Sequence, residues 1–81
     1  MRLDKYLKVS RLIKRRTVAN ESSDAGRVTV NGKAVKPAYQ VKVGDILTVA
    51  FGSHAVTVEV LAIPEHATKA EAGLLYRELE R

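Results

Sequence analysis

The chain has 81 residues, too few for two independent cores, and no cysteine, which excludes a disulfide framework, a thiolate zinc site and a cysteine nucleophile. It carries 14 basic and 9 acidic side chains, a net charge of +5, and no apolar run approaches the ~20 residues of a membrane span. The basic N-terminus lacks the apolar stretch and cleavage site of a signal peptide, so the sequence predicts an unprocessed cytoplasmic protein with no membrane partner.

The first sixteen residues, MRLDKYLKVSRLIKRR, hold the excess charge. Arg2, Lys5, Lys8, Arg11, Lys14, Arg15 and Arg16 stand against Asp4, a net of +6. The rest of the chain has the other seven basic and eight acidic residues, a net of −1. Leu3, Tyr6, Leu7, Val9 and Ile13 are interleaved with the charges, so the segment predicts a folded basic surface and not a charged tail. At 100° per residue Leu3, Tyr6, Leu7 and Val9 share one arc and Arg2, Lys5, Lys8 and Arg11 the other. Asp4 is placed to cap this helix or to pair with Lys8. Continuing the helix would put Leu12 among the charges and Lys14 among the apolar residues, which predicts a break near residues 12–15. A second short helix follows from about Arg16 to Ala25, with Gly26 as its left-handed cap. Ser22 and Ser23 weaken it, because an apolar residue would pack better there.

After Gly26 the period changes from helical to alternating. Val28-Thr29-Val30 predicts a strand, Asn31-Gly32 a type I′ hairpin turn, and Lys33-Ala34-Val35 the returning strand, ended by Pro37. Val41-Lys42-Val43 leads into a Gly44-Asp45 turn. Strands are predicted over Ile46 to Phe51 and Val56 to Val60, with a turn at Gly52-Ser53-His54. Pro64 breaks the chain. Thr68 to Glu71 reads as a capping box, and the spacing of Ala72, Leu75, Tyr76 and Leu79 predicts a C-terminal helix.

Three readings of the basic cluster follow: an ordinary solvated helix face, a membrane-surface helix, and a nucleic-acid surface. Seven cations against one acid is extreme for the first, and the apolar side lacks the Trp and Phe expected of the second. RNA is favoured over DNA because no long recognition helix is available for a major groove. Asn31-Gly32 and Gly44-Asp45 are read as turn chemistry, with Lys33 a candidate phosphate contact. His54 and His66 have no neighbour at metal-ligand spacing, and Ser10, Ser22, Ser23 and Ser53 lack a plausible base and orienting acid. Nothing in the sequence reads as catalytic or as a cofactor site.

The order of these features resembles the S4-type RNA-binding domain, or alpha-L motif. RLDKYL, a basic turn, Arg16-x-x-Ala19, GRVTVNG from Gly26 to Gly32 and VGD ending at Asp45 carry that likeness over residues 2 to about 49. RLDKYLKVSRLIKRRT and the near-complete length match resemble the bacterial RqcP (YabO) family, related to the ribosome-associated heat-shock protein 15. The C-terminal AEAGLLYRELE is similar to that heat-shock relative just beyond its S4 domain. The resemblance implies an α+β fold forming one domain over residues 1–81: two N-terminal helices on a small antiparallel sheet, with a C-terminal helix.

It also implies a role in ribosome-associated quality control. Family members bind between 23S rRNA of the large subunit and peptidyl-tRNA, holding the tRNA in the P site while RqcH directs C-terminal alanine tailing. The family's arginines at the starts of helices one and two match Arg2 and Arg16. Lys5, Lys8, Arg11, Lys14 and Arg15 follow from charge and location alone. Arg15 stands where many S4 domains have Ser or Thr, which removes a helix cap and adds a charge. The expected form is a monomer without cofactor. Three alternatives stay open: a heat-shock-type recycling role, an accessory module for a separate RNA-modifying enzyme, and a DNA- or membrane-binding protein. The absence of a long basic C-terminal extension favours the RqcP reading over the heat-shock one.

Overall fold

The computed structural model describes residues 1–64 and 69–79. Two helices, α1 (Leu3–Val9) and α2 (Arg16–Asp24), precede four strands: β1 (Val28–Val30), β2 (Lys33–Ala34), β3 (Ile46–Phe51) and β4 (His54–Val60). A single helical turn, α3 (Lys69–Ala72), and a last strand, β5 (Tyr76–Leu79), complete the described chain. The strands form one antiparallel sheet in the order β2-β1-β3-β4-β5.

Register sorts the sheet's side chains. Val28 pairs with Val49, Val30 with Leu47 and Leu47 with Val58, so one face carries a continuous apolar layer. With Leu3, Tyr6 and Leu7 of α1 and Ala19 of α2 it makes the core. Burying each large side chain contributes roughly 1.5–3 kcal/mol. The Tyr6 hydroxyl reaches through this core to donate to the Leu75 carbonyl at 2.8 Å. Burial of that ring pushes its pKa upward. The opposite face is more polar, with a Thr48–Thr57 hydroxyl pair at 3.2 Å and an Arg77–Glu59 ion pair.

The helix ends fall close to expectation. α1 stops at Val9, a few residues before the predicted break, because Arg11 turns the chain with φ 62. α2 ends in a Schellman motif: Arg27 N–H donates to Ser22 O at 2.9 Å and Gly26 N–H to Ser23 O at 3.1 Å. Gly26 has φ 77, a conformation a side chain would strain. Ser23 is buried, but its hydroxyl donates to the Ala19 carbonyl at 2.8 Å, so its polarity is satisfied within the helix. Asn31 and Gly32 both have positive φ, as a type I′ turn requires.

The C-terminal element differs from expectation. Helix covers only Lys69–Ala72, and Tyr76–Leu79 is a strand, Val60 facing Tyr76 and Thr57 facing Leu79. Gly73 follows the helical turn and weakens its continuation by about 1 kcal/mol. The edge of β4 offers a row of backbone partners, and pairing with it outweighs a weak helical pattern. Thr68 of the expected capping box, and His66, lie outside the described residues.

Candidate nucleic-acid interface

The N-terminus is strapped to the loop before β3. Leu3 N–H donates to Tyr39 O at 2.8 Å, Asp4 N–H to Pro37 O at 3.2 Å and Val41 N–H to Met1 O at 2.9 Å, while Arg2 bridges Gln40. These bonds do the work of a side-chain cap, which α1 lacks. They also fix the backbone of Arg2.

Asp4 is not the N-cap of α1, which is Arg2, but its carboxylate does satisfy a first-turn N–H of that helix, that of Lys5; no pairing with Lys8 is seen among the described residues. Asp4 is buried, its side chain 3% exposed, and it gathers groups from both helices. Arg2 donates from Nε to Oδ1 at 3.1 Å and from Nη2 to Oδ2 at 3.3 Å. Arg16 donates from Nη2 to Oδ1 at 3.5 Å, Asn20 from Nδ2 to Oδ2 at 3.2 Å, and the Lys5 backbone N–H to Oδ1 at 2.8 Å. Burial alone would raise the Asp4 pKa. The hydrogen bonds from Asn20 and Arg2 and the charges of Arg16 and Arg2 outweigh it, holding the carboxyl below its ordinary value.

The consequence is a pair of pre-positioned guanidinium groups. Arg2 and Arg16 keep about half their side-chain surface exposed, 46% and 50%. Each has five N–H donors and spends only one or two on Asp4, leaving the rest of the fork for an anion. Arg15 and Arg16 sit at the start of α2, where the helix dipole is also positive and no acid lies in the first turn. Asp4, Arg16, Thr17, Asn20 and Glu21 line an open groove of about 350 Å³ beside them.

The other predicted contacts come from different places. Lys8 is exposed on α1 and Lys5 half-buried. Arg11 and Lys14 are exposed in the turn between the helices, and Arg15 is the N-cap of α2 without a side-chain cap bond. Lys33 is exposed on β2, an edge strand. The structure therefore ties together Arg2 and Arg16, while the other cations lie on α1, in the turn or at the start of α2 or, for Lys33, on the sheet. Asn20 was missed by sequence reasoning. Its spacing of four from Arg16, which sets both on one face of α2, was the available signal.

The two turns are joined structurally. Asn31 Nδ2 donates to Asp45 Oδ1 at 3.3 Å, and Ile46 N–H donates back to Asn31 Oδ1 at 3.0 Å. Tyr39 O–H and Lys42 N–H both donate to Asp45 Oδ2 at 2.9 Å. Among the described residues no group of His, Cys, Asp and Glu could hold a metal ion, and no helix is long and apolar enough to cross a membrane.

Residues 1–47 match the S4 domain family. The chain is 55% identical over 76 residues to the RQC P-site tRNA stabilizing factor of Halalkalibacterium halodurans, covering 94% of this chain and 86% of that protein. It is 42% identical over 79 residues to heat shock protein 15 of Escherichia coli, covering 96% of this chain and 59% of that one. The trimeric structure of heat shock protein 15 from Vibrio cholerae superposes with a TM-score of 0.91 at 34% identity, over 98% of this chain and 81% of that one. The S4-type α+β architecture expected from the sequence is the one observed.

Proposed function

The chain belongs to the S4 domain family and, within it, to the group of the RQC P-site tRNA stabilizing factors, and from that premise we propose that it stabilises P-site tRNA on stalled large ribosomal subunits. It acts in the cytoplasm, bound to 23S rRNA and peptidyl-tRNA, while RqcH directs C-terminal alanine tailing. The whole chain works as one RNA-binding domain and not as an enzyme. Its contribution is binding energy: contacts to both RNAs lower the free energy of the P-site state relative to its alternatives.

The observation that carries this reading is the Asp4-centred arrangement of Arg2 and Arg16. Two half-exposed guanidinium groups held by a buried carboxylate form a rigid, phosphate-matching surface. Lys5, Lys8, Arg11, Lys14 and Arg15 extend its field, and Lys33 adds a contact from the sheet.

Affinity purification of the full chain from its native cell tests the proposal. Large subunits carrying peptidyl-tRNA and RqcH are expected, and recovery of DNA or membrane instead would overturn it. The likeness to heat shock protein 15 supports a second reading, in which the protein recycles stalled tRNA without tailing. Loss of alanine tails on deletion favours the first, and unchanged tails with slower release of the tRNA the second. Sedimentation of the purified chain distinguishes the expected monomer from a trimer like that of the Vibrio protein.

A further inference from the structure

The tip of the β3–β4 hairpin carries a feature that the basic surface does not use. Phe51 and His54 face each other directly across the two strands, and their rings stack with centroids 5.8 Å apart and planes 29° from parallel. Phe51 packs against the core, whereas His54 is exposed. The phenyl ring thus backs the imidazole from the core side, and His54 itself remains exposed to solvent. Among the described residues the other aromatic rings are committed elsewhere: Tyr6 is fully buried, Tyr39 donates to Asp45, and Tyr76 packs on the core.

We propose that the Phe51–His54 stack is a base-stacking site that takes one unpaired nucleobase of the bound RNA. This rests on the RNA-binding function proposed above and gives the domain a second contact, made by residues other than those of the Asp4 centre. Aromatic and imidazole rings bind splayed-out bases by stacking, tolerantly of sequence. The hairpin suits a polyanion because no Asp or Glu occurs between Asp45 and Glu59. Ala50 N–H donates to the Arg27 carbonyl at 2.9 Å, which sets an exposed cation opposite the residue next to Phe51, where it can meet the flanking phosphate. Arg16 begins α2 and Arg27 follows its end, so the backbones of these two cations are separated by about the helix's length, roughly 13 Å for nine residues. An RNA strand touching both sites is held at a phosphate patch and at a base.

The experiment uses the full chain and two labelled RNAs, a short oligoadenylate and an abasic strand of the same length. The wild type is expected to bind the oligoadenylate about tenfold more tightly. His54→Ala should abolish that preference, leaving the abasic strand unaffected, and His54→Phe should retain it because stacking survives. Arg2→Ala and Arg16→Ala should weaken both strands alike. Equal wild-type affinity for the two strands, or a His54→Ala variant with a lowered melting temperature and an intact preference, would overturn the stacking site alone. Binding of neither strand would overturn the RNA-binding reading beneath it.

Discussion

Arg16, the first residue of α2, donates from Nη2 to Oδ1 of Asp4, which lies twelve residues earlier on α1, at 3.5 Å. The same oxygen accepts from Arg2 Nε at 3.1 Å. A single carboxylate therefore ties the two helices together and offsets the repulsion between two guanidinium groups. The interaction makes Arg2 and Arg16 more than ordinary surface residues: truncating either removes part of the compensation that lets Asp4 be buried.

Asp4→Asn should lower stability by about 2 kcal/mol, in the range for hydrogen bonds to charged groups, and weaken RNA binding although the net charge becomes more positive. Because the folded-state pKa of Asp4 lies below its unfolded value, its stabilisation is complete above about pH 4 and fades as pH falls through the folded value. Thermal melts should therefore show a wild-type loss below about pH 4 that is smaller in the variant. In a double-mutant cycle, Arg2→Ala should cost about 1 kcal/mol in the wild-type background and less beside Asp4→Asn. Strict additivity would show that the ion pair has no energetic weight.

Association with large subunits should weaken steeply with salt. With five or six N-terminal cations on phosphate, log K should fall with a slope of roughly −4 against log salt concentration. Filter binding across a salt series measures it, and a flat profile would place the contact surface elsewhere.

Arg11 separates charge from backbone geometry. It occupies the left-handed region with φ 62 in the turn after α1. Arg11→Gly should raise stability slightly, by about 0.5 kcal/mol, because relief of strain outweighs the added freedom of the unfolded chain. The same change should reduce the salt slope by about one unit. Improved melting with unaltered RNA affinity would remove Arg11 from the interface.

Asp45→Ala should behave oppositely. It deletes the acceptor shared by Asn31, Tyr39 and the Lys42 N–H, so chemical denaturation should show a loss of about 2–3 kcal/mol. At temperatures where the variant stays folded, its affinity for RNA should match the wild type. A binding defect without loss of stability would make this turn part of the interface.

The basic cluster, the two helices and the hairpin turns were legible in the chain because they are local. Charge density in residues 1–16, 3.6-residue spacing in Leu3, Tyr6 and Leu7, and the positive-φ demand at Gly26 and Asn31-Gly32 act over a few residues. Arg2 and Arg16 were singled out by their likeness to a family motif, and their contact with RNA is part of the proposal. The role of Asp4 was not legible, because Arg16 and Asn20 reach it from a different helix and only packing decides which carboxylate they meet. The end of the chain shows the same limit. Ala72, Leu75, Tyr76 and Leu79 have helical spacing, yet Tyr76–Leu79 pairs with β4. Composition and period determined a basic α+β domain with its cations at one end. Tertiary structure decided which groups share a buried charge and which segment completes the sheet, since long-range hydrogen bonding outweighs weak local preference.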